Sequence, residues 1–492
     1  MNTIIERASQ NPTTRTICIG LLCLFPFLVI LLGSQLQNSI GFPLDDAWIH
    51  QTYARNFLQT LSWEYNSGQV SAGSTSPLWT LLLVPGHMFT SNFFYIWTYG
   101  ISLLFFGASS FLFSLFLNDK KFPSKTNILL VLLFSLEWHV LWAVVSGMET
   151  VLYIFFSLLI FYFLKLGKHY SWWLGILLGG ILWVRPDGIT LWGPVGLIIF
   201  VDLLRGYTEK PVYKIIGPFL ISLALYFLFN FSISGSIFPN TFYAKQTEYA
   251  VLYNSPLINR FFSLVLVPLT GVGIVLLPGF IAKLISSVRS RDIVHISAGL
   301  WVIGYIGLYA WRLPVTYQHG RYIIPVIPIF LLIGVSGWLE SSESFRGLIG
   351  RIIKKSWGLI IVIVLIGFSI LGVQAYSRDV AIIETEMVYC AKWIRDNTSH
   401  SSIIAAHDIG ALGFFSDRTI IDMAGLISPE VIPFIRDEEM LAKFLDDQKA
   451  DYLMTFPNWY PELIKDKTMI FSSMGNYAPL MGGENINVYE WK

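Results

Sequence analysis

The sequence predicts an α-helical multi-pass membrane protein of about eleven transmembrane helices that ends in a small extracytoplasmic α/β domain. Three observations predict it. Hydrophobic residues make up 54% of the 492 and charged residues only 13%, too apolar a balance for a soluble globular chain. The apolar residues gather in runs near the roughly 20 that a helix needs to span a bilayer. From Tyr376 onward hydropathy drops, and short β-like runs alternate with amphipathic stretches. A net charge of +1 points to no nucleic-acid partner. The cysteines, Cys18, Cys23 and Cys390, form neither a disulfide framework nor a metal-ligand spacing.

The first run, 17–36, follows Arg7 and Arg15, is longer than a signal-peptide core and lacks a small-residue cleavage site, so it reads as a retained signal anchor. The outer loop 37–92 comes next. Its apolar stretch 77–90 reads as a juxtamembrane or re-entrant helix, because counting it as a span would put Lys120, Lys121 and Lys125 outside. Ten further spans follow at 93–117, 127–145, 150–166, 171–185, 188–204, 215–231, 261–283, 295–311, 321–340 and 357–375. With the N-terminus inside, the cytoplasmic segments hold seventeen Lys and Arg against six in the outer loops, a clear positive-inside bias. In the soluble part 376–492, strands are predicted at 403–406, 419–422, 452–455 and 487–490, and helices near 384–397, 429–447 and 459–466. An odd number of spans places this domain outside. No internal repeat, P-loop or dinucleotide-binding glycine motif occurs.

This topology sets one group of polar residues on one face of the membrane: Asp45, Asp46, His50 and Arg55; Glu149; Arg185 and Asp187; Asn240 and Lys245; His319 and Arg321. Charged groups beside apolar spans are costly, and a paired carboxylate there serves a proton, a metal or a polar substrate. Plainer roles stand beside these. One Asp of the pair is suited to cap a helix, His50 follows Asp46 at i+4 and can pair with it, and Glu149 can open the next span. Arg185 and Asp187 can bridge within their own turn, and Lys245 and Arg321 can snorkel to the membrane edge or bind phosphate.

The strings carrying these residues resemble the bacterial GT-C glycosyltransferases. They are Leu44-Asp45-Asp46-Ala47-Trp48, Tyr53-Ala54-Arg55-Asn56, Gly73-Ser74-Thr75-Ser76-Pro77, Ser146-Gly147-Met148-Glu149-Thr150, Arg185-Pro186-Asp187-Gly188, Pro239-Asn240-Thr241-Phe242-Tyr243-Ala244-Lys245 and His319-Gly320-Arg321-Tyr322. In the soluble part His407-Asp408-Ile409-Gly410 and Ile421-Asp422-Met423-Ala424-Gly425 resemble them too. The nearest resemblance is to the group containing the mycobacterial terminal β-(1→2)-arabinofuranosyltransferase. It implies a polyprenyl-phosphate-linked sugar as donor, a cell-envelope glycan or glycolipid as acceptor, inversion at the anomeric carbon, and catalytic aspartates at Asp45 and Asp46. The first acid is favoured as the base. It further implies substrate contacts at His50, Arg55, Glu149, Arg185, Asn240, Lys245, His319 and Arg321, with the lipid tail between apolar spans. Trp48 stands where many relatives have Tyr or Phe, a change expected to reshape the acceptor side. Metal dependence varies in the superfamily, so Mg or Mn held by Asp46 stays open. The rival readings are an O-antigen-type polymerase or ligase, and a transporter or flippase of lipid-linked sugars.

Overall fold

Each apolar run folds as a helix, which satisfies its own peptide groups inside a bilayer. The computed structural model describes residues 12–90, 92–117, 124–207 and 210–492. Arg7, Lys120 and Lys121 of the charge argument lie outside these residues, as do the side chains of Arg15 and Lys125. In chain order the helices are α1 (Pro12–Gln37), α2 (Asp46–Thr60), α3 (Pro77–Leu83), α4 (Phe93–Leu117), α5 (Ser124–Ser135), α6 (Trp138–Val145), α7 (Thr150–Lys165) and α8 (Trp172–Val184). There follow α9 (Trp192–Leu204), α10 (Tyr213–Ser234), α11 (Asn240–Glu248), α12 (Leu257–Leu269), α13 (Val272–Ser290), α14 (Ile293–Arg312), α15 (Ile327–Ser344) and α16 (Gly347–Ile383). Eight of the described helical stretches are long and apolar enough to cross a membrane. The pair α5 and α6 divides one run, because the Glu137 carboxylate accepts the Val140 N–H at 2.8 Å and starts a new helix there.

Asp46, Glu149, Arg185, Lys245 and Arg321 line one cavity, so between consecutive members of this set the chain leaves this place and returns to it. The returning pairs are α4 with α5 and α6, α7 with α8, α9 with α10, and α13 with α14. After Arg321, α15 and α16 bring the chain back once more, since Gly410 bonds to Asp45. The span expected at 261–283 falls on two helices, of which α13 is long and apolar enough to cross a membrane and α12 is shorter. The chain breaks between them at Gly271, whose φ of +114° is closed to residues with a side chain.

Helix α16 runs without interruption through the boundary expected at 375/376, passes a π turn at Glu384–Val388 and continues as α17 (Tyr389–Asn397). Then come β1 (Ile403–Ala406), α18 (Gly410–Phe415), β2 (Thr419–Asp422), α19 (Glu438–Asp447), β3 (Tyr452–Thr455), β4 (Met469–Ser472) and β5 (Asn487–Glu490). The sheet order is β2-β1-β3-β5-β4. Strands β1, β2 and β3 are parallel, and β5 runs antiparallel to β3 and β4. The four expected strands are present. The additional β4 is an edge strand without a buried residue, and so without the apolar alternation that marks the others. Alternation along β1 sends Ile404 and Ala406 into the core shared with the bundle and Ala405 against Leu441 and Leu445 of α19.

A buried carboxylate and a close helix seam are among the contacts that tie this domain to the bundle. Glu386, fully buried in the π turn, accepts from the Ser473 hydroxyl, from Asn485 Nδ2 at 3.0 Å and from the Ile486 N–H at 3.0 Å. Helix α18 packs along α2 so closely that a Cβ at Gly410 would lie 1.9 Å from the Asp45 carbonyl oxygen. Gly410→Ala is therefore expected to push α18 off the first loop and to cost about 1–3 kcal/mol, the usual cost of overpacking. A lowered unfolding temperature and faster proteolysis after residue 397 would register it; an unchanged transition would show that the contact yields.

Candidate active site

Successive residues of a helix point about 100° apart, so the adjacent aspartates at the start of α2 meet different surroundings. Asp45 occupies the N-cap position of α2 but makes no side-chain bond to it. Its carboxylate reaches across to α18, where Oδ2 accepts the Gly410 N–H at 2.6 Å and Oδ1 the Ala411 N–H at 2.8 Å. Arg55 closes the other end of α18, donating to the carbonyls of Phe414 at 2.7 Å and Gly413 at 3.2 Å. The Asp45 carboxyl and the Arg55 guanidinium thus satisfy unpaired N–H and C=O groups at the two ends of one short helix. Burial, with the Asp408 carboxyl beside it, pushes Asp45 up to about 8 against the pull of these two N–H donors.

Asp46 points the other way. Its Oδ2 accepts from Lys245 Nζ at 3.1 Å and from an Arg321 guanidinium nitrogen at 2.5 Å, and both cations also donate to the Tyr322 hydroxyl at 3.1 Å. Burial alone would raise the Asp46 pKa; the two cations reverse this and hold it far below the usual carboxylate range. For Lys245, burial would lower the pKa and Asp46 outweighs it, so the ammonium stays charged. The Nε and one terminal nitrogen of Arg321 are buried without a partner among the described residues.

Two cavities meet at this cluster, and Asp46, Lys245 and Arg321 line both. One, of about 390 Å³, has an apolar flank of Ile189, Phe238, Phe242, Leu308 and Trp311, beside a polar end where His50, Glu149, Arg185 and Asp187 gather. There His50 Nε2 lies 3.5 Å and an Arg185 nitrogen 3.8 Å from the Glu149 carboxylate. Arg185 also donates to Asp187 at 2.9 Å and to the Tyr309 hydroxyl at 2.7 Å. The internal Arg185–Asp187 bridge and a place in the cavity wall thus both hold. The second cavity, of about 590 Å³, lies between bundle and soluble domain, lined by Asp45, Glu248, His407, Asp408, Arg436, Trp459 and Tyr460 among others.

Four of the expected residues line neither cavity. Arg55 holds α18 and lines neither cavity. Asn240 is buried and donates to the Leu426 carbonyl at 3.2 Å. His319 pairs with Asp379 at 2.8 Å between the rings of Trp138 and Trp142. Trp48 is fully buried against Phe42, Phe414 and Phe415, away from either cavity. Conversely, sequence reasoning did not assign Glu248, His407, Asp408 or Trp459 to the site. One signal was available: His407 and Asp408 directly follow β1 and Phe456 to Tyr460 follow β3, and parallel strands present their ligands at their carboxyl ends.

His407 joins the two halves of the second cavity, with Nε2 3.3 Å from Glu248 of α11 and Nδ1 2.7 Å from the Tyr460 hydroxyl. Burial works against a charged His407, but Glu248 and Asp408 outweigh it and its pKa is raised. The Glu248 carboxyl is correspondingly lowered, because His407 offsets its burial. Asp408 is pushed up to about 6 by burial and its acidic neighbours. Among the described residues no group of three or more His, Cys, Asp and Glu is arranged to hold a metal ion. At Asp46 a divalent cation would meet two cationic side chains, so the residues there do not fit Mg or Mn.

Solved structures share this architecture. ArnT from Cupriavidus metallidurans in the apo state aligns over 96% of this chain and 97% of its own, with a TM-score of 0.58 and 14% identity. The same protein bound to undecaprenyl phosphate gives a TM-score of 0.55 at 13% identity over the same shares. The Archaeoglobus fulgidus oligosaccharyltransferase tethered to an acceptor peptide covers 88% of this chain and 69% of its own, with a TM-score of 0.51 and 12% identity. Residues 377–489 match a family described as a domain of unknown function (DUF8728). No curated protein matches the chain by sequence. The fold is thus the GT-C type that the motifs resemble; these structures do not test the narrower arabinofuranosyltransferase group.

The pKa shifts set a pH dependence. A raised His407 contributes stability that is complete below its ordinary value of 6.5 and is lost as pH rises through the raised value. Asp45 and Asp408, raised from 3.8 to about 8 and about 6, act in the same direction, because ionising them in the fold is unfavourable. The lowered Glu248 is lost only in acid. The unfolding temperature should therefore fall as pH rises from about 4 to about 8, and the part of the fall above pH 6.5 should be flatter in His407→Gln. A profile rising with pH would contradict this assignment.

Proposed function

We propose that this chain is an inverting glycosyltransferase that moves a sugar from a polyprenyl-phosphate donor to a glycan or glycolipid acceptor at the outer face of the bacterial inner membrane. One observation carries the reading: two chambers, one with an apolar flank, meet at a single carboxylate whose counter-ions are an ammonium and a guanidinium. Those are phosphate-binding groups. That the ArnT structure of the same fold was solved with undecaprenyl phosphate supports a lipid-linked phosphate as the donor class.

The proposed mechanism starts from the ion pairs. The apolar flank takes the lipid, and the donor phosphate competes with Asp46 for Lys245 and Arg321, whose unpartnered nitrogens supply further donors. Drawn onto phosphate, the cations no longer depress Asp46, and its basicity rises as the donor seats. An acceptor hydroxyl from the second chamber then attacks the anomeric carbon. The new carbon–oxygen bond forms as the bond to phosphate breaks, the proton passes to Asp46, and the electron pair leaves on the lipid phosphate, which Lys245 and Arg321 stabilise. His50, Glu149 and Arg185 lie where the donor sugar's hydroxyls would be bound.

This reading moves the base from Asp45, favoured on the resemblance, to Asp46. Both Asp45 oxygens are engaged by α18, whereas Asp46 lines both chambers. Asp46→Asn is expected to lower turnover by about 10²- to 10⁴-fold in a protein that still folds and binds undecaprenyl phosphate. Asp45→Asn is expected to lower the unfolding temperature more than the rate. Sugar transfer lost in Asp45→Asn and kept in Asp46→Asn would reverse the roles, and full activity in both would remove the mechanism.

Lys245→Ala and Arg321→Ala should each weaken donor use by about 1.5–3 kcal/mol, one charge-assisted contact apiece. With these cations as counter-charge, turnover should survive chelation of divalent ions by EDTA. Strict metal dependence would sink that part of the proposal.

A further inference from the structure

We propose that the wall of the second chamber contributed by the C-terminal domain is an acceptor subsite for an uncharged glycan, with Trp459 as the stacking surface for a sugar ring. The inference deepens the glycosyltransferase reading and rests on it. It assigns a role to the domain that follows the membrane bundle.

The platform is built. Trp459 keeps 48% of its surface exposed where it lines the chamber, although an indole has much apolar area to bury. It is held in place from several sides. Its ring meets His407 edge-on at 5.1 Å and Phe456 at 5.0 Å. The turn that carries it is pinned by Glu484, which accepts both the backbone N–H and the side-chain amide of Asn458. A rigid aromatic face bordered by polar groups suits a pyranose or furanose ring, whose C–H faces pack on the indole while its rim hydroxyls find acceptors and donors.

The polar rim sets the class of glycan. Glu248 and Asp408 line the chamber with Trp459, and Arg436 and His407 stand among them; both Asp45 oxygens are already bonded to α18. Arg436 is partly committed, donating to the Glu248 carbonyl at 2.8 Å, and both His407 nitrogens are engaged. What remains free to face a ligand is mainly carboxyl oxygen. Such a rim accepts hydrogen bonds from hydroxyls and repels phosphate or carboxylate substituents. The phosphate-binding cations Lys245 and Arg321 line the same chamber but are held on Asp46, where the donor belongs.

The test uses the purified full-length protein in lipid nanodiscs and saturation-transfer NMR. The probes are neutral oligosaccharides (maltotriose, mannotriose, arabinofuranobiose), mannose 6-phosphate, and undecaprenyl phosphate. At least one neutral oligosaccharide should bind without being displaced by undecaprenyl phosphate, and at least tenfold more tightly than mannose 6-phosphate. Trp459→Ala should weaken that binding at least tenfold, Trp459→Phe should keep it within about threefold, and undecaprenyl phosphate should bind all three proteins alike. The proposal is overturned if no neutral oligosaccharide binds, if undecaprenyl phosphate displaces it, if the phosphorylated sugar binds as well, or if Trp459→Ala binds like the wild type. Failure of undecaprenyl phosphate itself to bind would instead count against the glycosyltransferase reading.

Discussion

Two carboxylates on adjacent residues at a membrane surface must each be compensated, and the structure does so with different partners. Asp45 is compensated by backbone N–H groups of α18, Asp46 by Lys245 and Arg321. The division follows from the helix. Residues 45 and 46 diverge by about 100° at the start of α2, so one carboxylate faces the soluble domain and the other the meeting point of two cavities. Removing Lys245 and Arg321 would leave a buried charge unpaired, which is far costlier than losing a surface ion pair, and removing α18 would leave the buried Asp45 carboxyl without its hydrogen bonds. The docking of the C-terminal domain and the closure of the bundle around Lys245 and Arg321 are therefore both tied to one dipeptide.

The helical hairpins serve the same end. Between Asp46 and Arg321 the chain leaves the site four times and returns four times, and each return delivers one polar segment to the same cavity. None of these segments is close to another in sequence, so the cluster forms only when the bundle packs. The fifth return delivers the soluble domain with the carboxyl ends of its parallel strands turned toward the same place. An ion pair that holds Asp46 before a donor arrives has a chemical consequence under the proposed mechanism. The base is quenched until phosphate competes for its cations, which disfavours idle proton transfer in the empty enzyme.

The legible part of the site was its charge chemistry. Lys245 and Arg321 stand beside Asp46 as phosphate chemistry would require, and Glu149 and Arg185 line the cavity. Arg55, Asn240 and His319 sit in strings of the same kind, yet their side chains hold α18, the Leu426 carbonyl and Asp379. A motif places a residue near a site; which way the side chain turns depends on packing that no local string encodes. The helix cap considered for Asp45 was the right chemistry on the wrong helix, since the cap is made in space to a segment 365 residues away.

The sequence by itself determined the membrane class and the four core strands, because hydropathy and strand alternation are local properties that solvent reads along the chain. It also determined which residues were too costly to place in an apolar setting without purpose. Only the tertiary structure decided that the run at 261–283 breaks into α12 and α13, that Asp46 rather than Asp45 lines both chambers, and that Trp459 and His407 border the second. Those outcomes depend on contacts between segments hundreds of residues apart, and their energies exist only once the hairpins have closed.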